Sequence, residues 1–128
     1  PLVIHDNYLI NLASGDAVIR EKSIAALRGE LLRAEMLGAA YLVAHPGSWK
    51  GLTPELGMTN VASGLAEATE GLGPLGVTLL LECTAGQGFT LGARLEELRD
   101  LRMMASRGMA LPIQFCLDTC HLLAAGYD

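Results

Sequence analysis

The chain has 128 residues, of which 51% are hydrophobic and 18% charged, and its formal net charge is −5. So much apolar and so little charged material excludes an intrinsically disordered chain. The acidic balance argues mildly against a free-standing nucleic-acid-binding module. Such modules are usually basic because they neutralise phosphates, although carboxylates that hold metal ions would weaken this objection.

Four short apolar runs recur along the chain, and a polar or ionisable residue follows each one. Runs of this length and composition are typical of strands buried on both faces of a sheet. Their spacing of roughly 36 to 40 residues corresponds to one strand, one helix and two loops. The predicted strands are 2–4, 40–44, 77–81 and 113–117, and the residues that follow them are His5, His45, Glu82 and Asp118.

Helical patterns fill the intervals between the predicted strands. The first helix is predicted from Ser14 or Asp16, which are plausible N-caps, to Leu37, with Gly38 placed to end it. Later helices are predicted over 54–69 and 93–106, and another begins near Cys120 and extends towards Asp128. The buried stripe of the first helix is predicted to contain Ile19, Ile24, Leu27, Leu31 and Leu32.

This alternation predicts an α/β fold with parallel strands and crossover helices. A doubly wound sheet and a (β/α)₈ TIM barrel both fit the order. The doubly wound sheet usually carries a glycine-rich loop after its first strand, but residues 5–8 (HDNY) contain no glycine. A barrel instead brings the ends of many strands to one axis, so the barrel is favoured. We expect residues 1–128 to form one partial barrel of about four consecutive βα units.

The strand ends carry the residues most suggestive of chemistry. His5, His45 and Glu82 would make a zinc site of two histidines and one glutamate with an open position. Asp118 and His121 follow the next strand, and Glu82 could bridge to a second ion that Asp118 also binds. Any single histidine is more often structural than ligating. All three histidines of the chain nevertheless fall at predicted strand ends, which favours a metal site.

Other features of the sequence have weaker functional interpretations. Residues 84–88 (TAGQG) suit a tight connection better than a phosphate-binding loop, and Trp49 fits either a loop anchor or a surface stacking residue. The three cysteines do not form CxxC pairs, and buried, reduced thiols explain them better than disulfides. We therefore expect a reducing compartment, the cytoplasm. No apolar run reaches 18 residues, so we expect no association with a membrane.

Four blocks resemble the signature blocks of the endonuclease IV family. They are residues 5–12 (HDNYLINL), 45–48 (HPGS), 82–88 (ECTAGQG) and 116–121 (CLDTCH), and residues 124–128 (AAGYD) continue the last one. The resemblance runs along the whole chain with matching spacing. Cys83 departs from the pattern, because the family usually has asparagine after the ligating glutamate. A hydrogen bond outside the ligand set is therefore in doubt.

The resemblance implies a DNA-repair hydrolase that uses three zinc ions to cleave the phosphodiester 5′ to an abasic site in double-stranded DNA. It implies that His5, His45 and Glu82 hold the first ion and that Glu82, as the bridging and catalytic ligand, shares the second with Asp118. His121 would contribute to the third. Tyr8 and Leu9 fall where the family inserts side chains into the duplex, although ordinary loop packing would also explain them.

Two alternatives stay open on the sequence. A sugar isomerase or epimerase of the xylose isomerase-like barrels would place similar ligands on the same strand ends, although the histidines favour zinc and phosphodiesters. A non-catalytic half-barrel that binds metal is the other. We expect the whole enzyme to be a monomer. We expect these 128 residues alone to be inactive and to self-associate through open sheet edges.

Overall fold

A computed structural model describes all residues from Pro1 to Asp128 and contains one four-stranded parallel sheet. The strands lie in chain order, so each crossover helix connects two neighbouring strands. The predicted runs 2–4 and 77–81 are each shifted by one residue from the observed strands, the run 40–44 begins one residue early, and the run 113–117 ends one residue late. The strands are β1 (Val3–His5), β2 (Tyr41–Ala44), β3 (Thr78–Glu82) and β4 (Ile113–Cys116).

Three of the four helices begin after a residue whose side chain caps the helix, whereas Arg94, before the third helix, forms no such hydrogen bond. The Asp16 carboxylate accepts hydrogen bonds from the amides of Val18 and Ile19 at 2.9 and 3.0 Å, and Thr53 caps the second helix, whose first residue is Pro54. Gly38 adopts a φ of +68° just after the first helix and ends it, as predicted. The helices are α1 (Ala17–Met36), α2 (Pro54–Thr69), α3 (Leu95–Ser106) and α4 (Thr119–Ala124).

The core lies between the helices and one face of the sheet. Ile4, Leu42, Leu79 and Ile113 are paired in register across all four strands and belong to, or pack against, this core. Leu42 and Leu79 are fully buried. Each such side chain contributes about 1.5–3 kcal/mol through removal of apolar surface from water. The sheet is thereby fixed to the helices through its outer face.

The opposite face of the sheet is mixed in character, which corrects the expectation of strands apolar on both sides. Its rows contain Val3, Tyr41 and Thr78, then His5, Val43, Leu80 and Gln114. Val3 is 52% exposed and Gln114 is exposed, whereas Val43 is buried. Side chains alternate between the two faces along a strand, so His5 lies on the same face as Val3, two residues before it, and as Val43, its partner on β2.

The first two helices depart from the periodic pattern at identifiable positions. Ile19 and Leu32 were predicted in the buried stripe of α1 but are 46% and 41% exposed. The buried stripe contains Leu27 and Leu31, and Leu32 lies about 100° further around the helix. In α2, Gly57 lies against Trp49, where an added Cβ would approach the tryptophan Cβ to 2.5 Å. Close packing therefore explains a glycine that weakens the helix pattern.

The predicted α/β order of four consecutive parallel βα units is confirmed. No helix in the structure combines the length and the apolar character that crossing a membrane would require.

Candidate metal centre

The strand register brings the predicted ligands to one face and one end of the sheet. Val43 pairs with both His5 and Leu80, so His45 and Glu82, two residues further along, continue the same face one row above His5. Glu82 pairs with Cys116, and Asp118 lies two residues beyond it. The ligand positions therefore advance by one row between β1 and β2 and by another between β3 and β4, a stagger that fits the tilt of strands in a barrel.

A first cluster joins the two histidines on neighbouring strands to Glu82. Nε2 of His5 lies 2.8 Å from Oε2 of Glu82, and Nε2 of His45 lies 2.9 Å from the same oxygen. Zinc with nitrogen and oxygen bonds near 2.0–2.1 Å would separate its ligand atoms by about 3.3 Å. Each of the two nitrogen–oxygen distances would therefore have to lengthen by only about 0.5 Å. Two imidazoles and one carboxylate are a donor set that fits zinc.

The other ring nitrogen of His5 is held by Asp6. Nδ1 of His5 lies 3.0 Å from the Asp6 carbonyl oxygen and 3.5 Å from its carboxylate. Burial lowers the pKa of His5, but the hydrogen bond to Asp6 and the hydrogen bond and charge of Glu82 outweigh burial and raise it. Because the carbonyl can only accept, Nδ1 is the protonated nitrogen, and Nε2 is directed towards the cluster.

Asp6 is the most perturbed acid of the site. Its side chain is buried, and its Oδ1 has no hydrogen-bond partner. Burial raises its pKa to about 7, partly opposed by the charge of His5 and increased by the negative charges of Glu30 and Glu82. A carboxyl group in this position is stable in its neutral form unless a positive charge lies near His5.

A second cluster contains Glu82, Asp118 and His121. Oδ1 of Asp118 caps α4 by accepting from the amides of Cys120 and His121 at 2.8 and 3.0 Å. The hydrogen bond that the His121 amide donates is the main cause that lowers the pKa of Asp118, so this carboxylate is charged. Oδ2 takes no part in the cap and lies 3.9 Å from Nδ1 of His121. Glu82, whose Oε1 lies 3.5 Å from that nitrogen, is common to both clusters.

His121 belongs to the second cluster, but its Nδ1 is engaged by a hydrogen bond to the backbone. Its Nδ1 lies 2.9 Å from the carbonyl oxygen of Cys83. A carbonyl oxygen only accepts, so Nδ1 carries the proton and Nε2 is the nitrogen left to bind a metal. This arrangement is compatible with the prediction that His121 serves a third ion rather than the second.

Cys83, the residue that departs from the family pattern, forms hydrogen bonds with the backbone of Asp118. Its Sγ accepts from the amide of Asp118 at 3.1 Å and lies 3.5 Å from the Asp118 carbonyl oxygen. Burial, and then the charges of Glu82 and Asp118, raise the pKa of this thiol, so it keeps the proton that it donates to the carbonyl. The thiol group therefore binds both the amide and the carbonyl oxygen of Asp118. The expectation of buried cysteines is correct for Cys83, but Cys116 is only half-buried and Cys120, on α4, is exposed.

The loops around the clusters contain the predicted DNA-contacting residues. Tyr8 and Leu9 are 81% and 68% exposed, so both make few contacts within residues 1–128. Trp49 is a loop anchor, because it packs on Gly57 and lies edge-on to Phe89 with ring centroids 4.9 Å apart. Residues 84–88 begin the loop that leads from β3 to α3 at Leu95, which is longer than the tight connection predicted, and within it the Thr84 hydroxyl donates to the Leu91 carbonyl at 2.8 Å.

Two residues with structural roles at the site were missed by the sequence interpretation. Asp6 was quoted only as part of a motif, although an acid next to a candidate ligand histidine could have signalled a supporting role. Asn11, whose carboxamide pairs with the backbone of Ser48, gave no local signal beyond its place in the same motif.

The chain matches a known protein family along its full length. Residues 1–128 fit the family model described as a xylose isomerase-like TIM barrel. The chain belongs to this family. The predicted barrel fold is thereby confirmed, with four of its βα units present in the residues described.

Comparisons with individual proteins show closer relationships. A probable endonuclease 4 of Solibacter usitatus is 59% identical over 128 residues, which are 100% of this chain and 44% of that protein. A crystal structure of endonuclease IV from Thermus thermophilus has a TM-score of 0.78 and 43% identity, covering 99% of this chain and 42% of the other. The expected similarity to endonuclease IV is confirmed, and the chain spans less than half the length of these relatives.

The fold is also shared with more distant proteins. A D-tagatose 3-epimerase-like protein has a TM-score of 0.72 and 23% identity, covering 93% of this chain and 45% of the other. At this identity the likeness shows the fold alone.

Proposed function

We propose that these residues belong to a zinc-dependent hydrolase that cleaves the DNA phosphodiester 5′ to an abasic site. The observation that carries the proposal is the position of Glu82, whose two carboxylate oxygens face two separate clusters of histidine and carboxylate ligands. Sites in which one group joins two metal ions are typical of phosphodiester hydrolysis. The similarity to endonuclease 4 proteins supports the same reaction.

The ligand assignments follow from the directions of the donor atoms. His5, His45 and Glu82 would hold the first zinc ion, and Glu82 and Asp118 would hold the second. Nε2 of His121 would be available to a third. When bound, zinc lowers the pKa of water to about 7 and stabilises negative charge on phosphate oxygens and on the leaving oxygen. Glu82 is 6% exposed and its Oε2 contacts both histidines, so it would be a fixed ligand shared by the two ions.

The cluster is open on the side that a DNA backbone would approach. The side chains of His5 and His45 are 47% and 37% exposed, whereas that of Glu82 is only 7% exposed. A phosphate group could therefore reach the histidine side of the cluster without displacing core residues. The ligands' carboxylates would be neutralised by the ions, which weakens the objection raised by the acidic composition.

Tyr8 and Leu9 are proposed to contact the duplex at the lesion. Both side chains project from the loop after β1, three and four residues beyond His5, and both are largely exposed. An abasic nucleotide has no base to unstack, so inserting an apolar side chain there costs a few kcal/mol less than at a normal pair. Replacing both residues with alanine should weaken binding to abasic duplex while leaving zinc content unchanged. Loss of zinc in this variant would contradict a role in DNA contact.

The proposed reaction is tested by substrate choice in the full-length protein. We expect incision of a duplex oligonucleotide at the 5′ side of a single abasic analogue, abolished by a chelator and restored by zinc. Ketose substrates supplied under the same conditions should be left unchanged. Epimerisation of a ketose without DNA incision would instead support the sugar isomerase alternative. Metal binding without turnover of either substrate would support a non-catalytic role.

A further inference from the structure

Asn11 joins the loop after β1 to the loop after β2 through a reciprocal pair of hydrogen bonds. Its Oδ1 accepts from the Ser48 amide at 2.9 Å, and its Nδ2 donates to the Ser48 carbonyl at 3.1 Å. Its own amide donates to the Ser23 hydroxyl at 2.9 Å, which ties it to α1. The carboxamide thus pairs with one residue's backbone donor and acceptor, as a neighbouring strand would.

The loop after β2 contains a glycine that makes this approach possible. Gly47 adopts a φ of +108°, and a Cβ at this position would lie 2.5 Å from Oδ1 of Asn11. Real Cβ atoms do not approach so closely, so Asn11 can pair with Ser48 only because residue 47 lacks a side chain. Gly51, in the same loop, has a φ of +85°, and an added Cβ there would meet nothing within 4 Å, so its glycine serves the backbone conformation alone.

The same loop is joined to the loop after β3. Ser48 forms an antiparallel bridge with Thr90, and the Leu91 amide donates to the Gly47 carbonyl at 2.9 Å. The Leu91 carbonyl in turn accepts from the Thr84 hydroxyl at 2.8 Å, two residues beyond Glu82. A continuous set of hydrogen bonds therefore connects the loops that follow His5, His45 and Glu82.

We propose that Asn11 is a positioning residue that holds the loop after β2, and with it His45, at the zinc-binding position. The inference rests on the proposed function, because it assumes that His45 binds zinc. Asn11 lies outside the ligand set and acts through Ser48, which is three residues beyond His45. An uncharged carboxamide supplies one donor and one acceptor without adding a charge near the ions, which neither aspartate nor leucine can do.

The test measures zinc affinity by competition with a chromophoric chelator, and the visible spectrum of the Co²⁺-substituted protein. Asn11→Ala should weaken the first zinc site by about 10–100-fold, the range for groups that support metal ligands, and should alter the Co²⁺ spectrum. Asn11→Asp keeps the volume and the acceptor but places a second oxygen against the Ser48 carbonyl, so it should show a similar loss. Circular dichroism should report a folded protein in both cases.

A glycine pair provides a matched control that leaves Asn11 in place. Gly47→Ala and Gly51→Ala each place a side chain at a positive φ in one loop, but only the first collides with Asn11, and it also comes within 3.3 Å of Ala13. We expect Gly47→Ala to reduce zinc affinity at least about fivefold more than Gly51→Ala. If the unaltered protein binds zinc and the Asn11 variants bind it equally well, or if the two glycine variants do not differ, the positioning role is wrong. If the unaltered protein binds no zinc, the proposed function itself is overturned.

Discussion

Replacing Glu82 with glutamine tests the bridging role most severely. The change keeps the size of the side chain but removes its charge and converts one of its two oxygens into an amide nitrogen. Oε2 of Glu82 faces His5 and His45 at 2.8 and 2.9 Å, and Oε1 faces the second cluster. Whichever way the amide is oriented, one of the two ion positions loses its oxygen ligand and both lose the shared negative charge.

The magnitude follows from the number of ligands lost. Removing a group that merely supports a ligand costs about 10–100-fold in metal affinity, so removing the shared ligand itself should cost at least about 100-fold. This factor corresponds to about 2.7 kcal/mol of binding free energy. Abasic-site cleavage by the full-length protein should fall by at least about the same factor, because charge stabilisation by two ions is lost.

The assay combines zinc stoichiometry by mass spectrometry with cleavage kinetics, and Glu96→Gln serves as a matched control. Glu96 lies on α3 with a side chain that is 56% exposed, and we expect this variant to keep full zinc content and activity. In the metal-free protein, the pKa of His5 should fall in Glu82→Gln, since Glu82 raises it through a hydrogen bond and its charge. Near-normal turnover with an intact fold would refute the bridging role.

Three further predictions concern neighbouring residues. His45→Ala should remove the ion of the first cluster but not that of the second, so an unchanged zinc content would contradict the assignment. Cys83→Val should weaken zinc binding by about 10-fold or more while Cys83→Asn should not, because only asparagine can replace the thiol's bonds to the Asp118 backbone. The pKa of Asp6 is raised from 3.8 to about 7 on folding, so the stability of the metal-free protein should fall as pH rises across that interval. Asp6→Asn should flatten this dependence in urea unfolding curves, and an unchanged slope would show that another group is responsible.

Much of the fold could be predicted because local signals in this chain agree with one another. The apolar runs, Asp16 as a helix cap and Gly38 as a helix end are each determined by neighbours within a few residues. The placement of His5, His45, Glu82 and Asp118 at strand ends follows from the same periodicity, since parallel strands bring their ends together. Their roles as ligands stay predictions.

The contacts that support the site could not be predicted from local patterns. The pairing of Asn11 with Ser48 joins residues 37 positions apart and depends on how two loops meet above the sheet. The bonds of Cys83 to Asp118 depend on the register of β3 and β4. The exposure of Leu32 was missed because hydrophobicity alone does not say which of two adjacent leucines faces the core.

Locating zinc by anomalous X-ray scattering from crystals of the zinc-loaded protein would test the central claim most directly. We predict one anomalous peak among Nε2 of His5, Nε2 of His45 and Oε2 of Glu82. A second peak should lie on the other side of Glu82, about 3.5–4 Å away, within reach of Oδ2 of Asp118. A protein that binds zinc elsewhere, or shows no peak beside Glu82, would contradict the account.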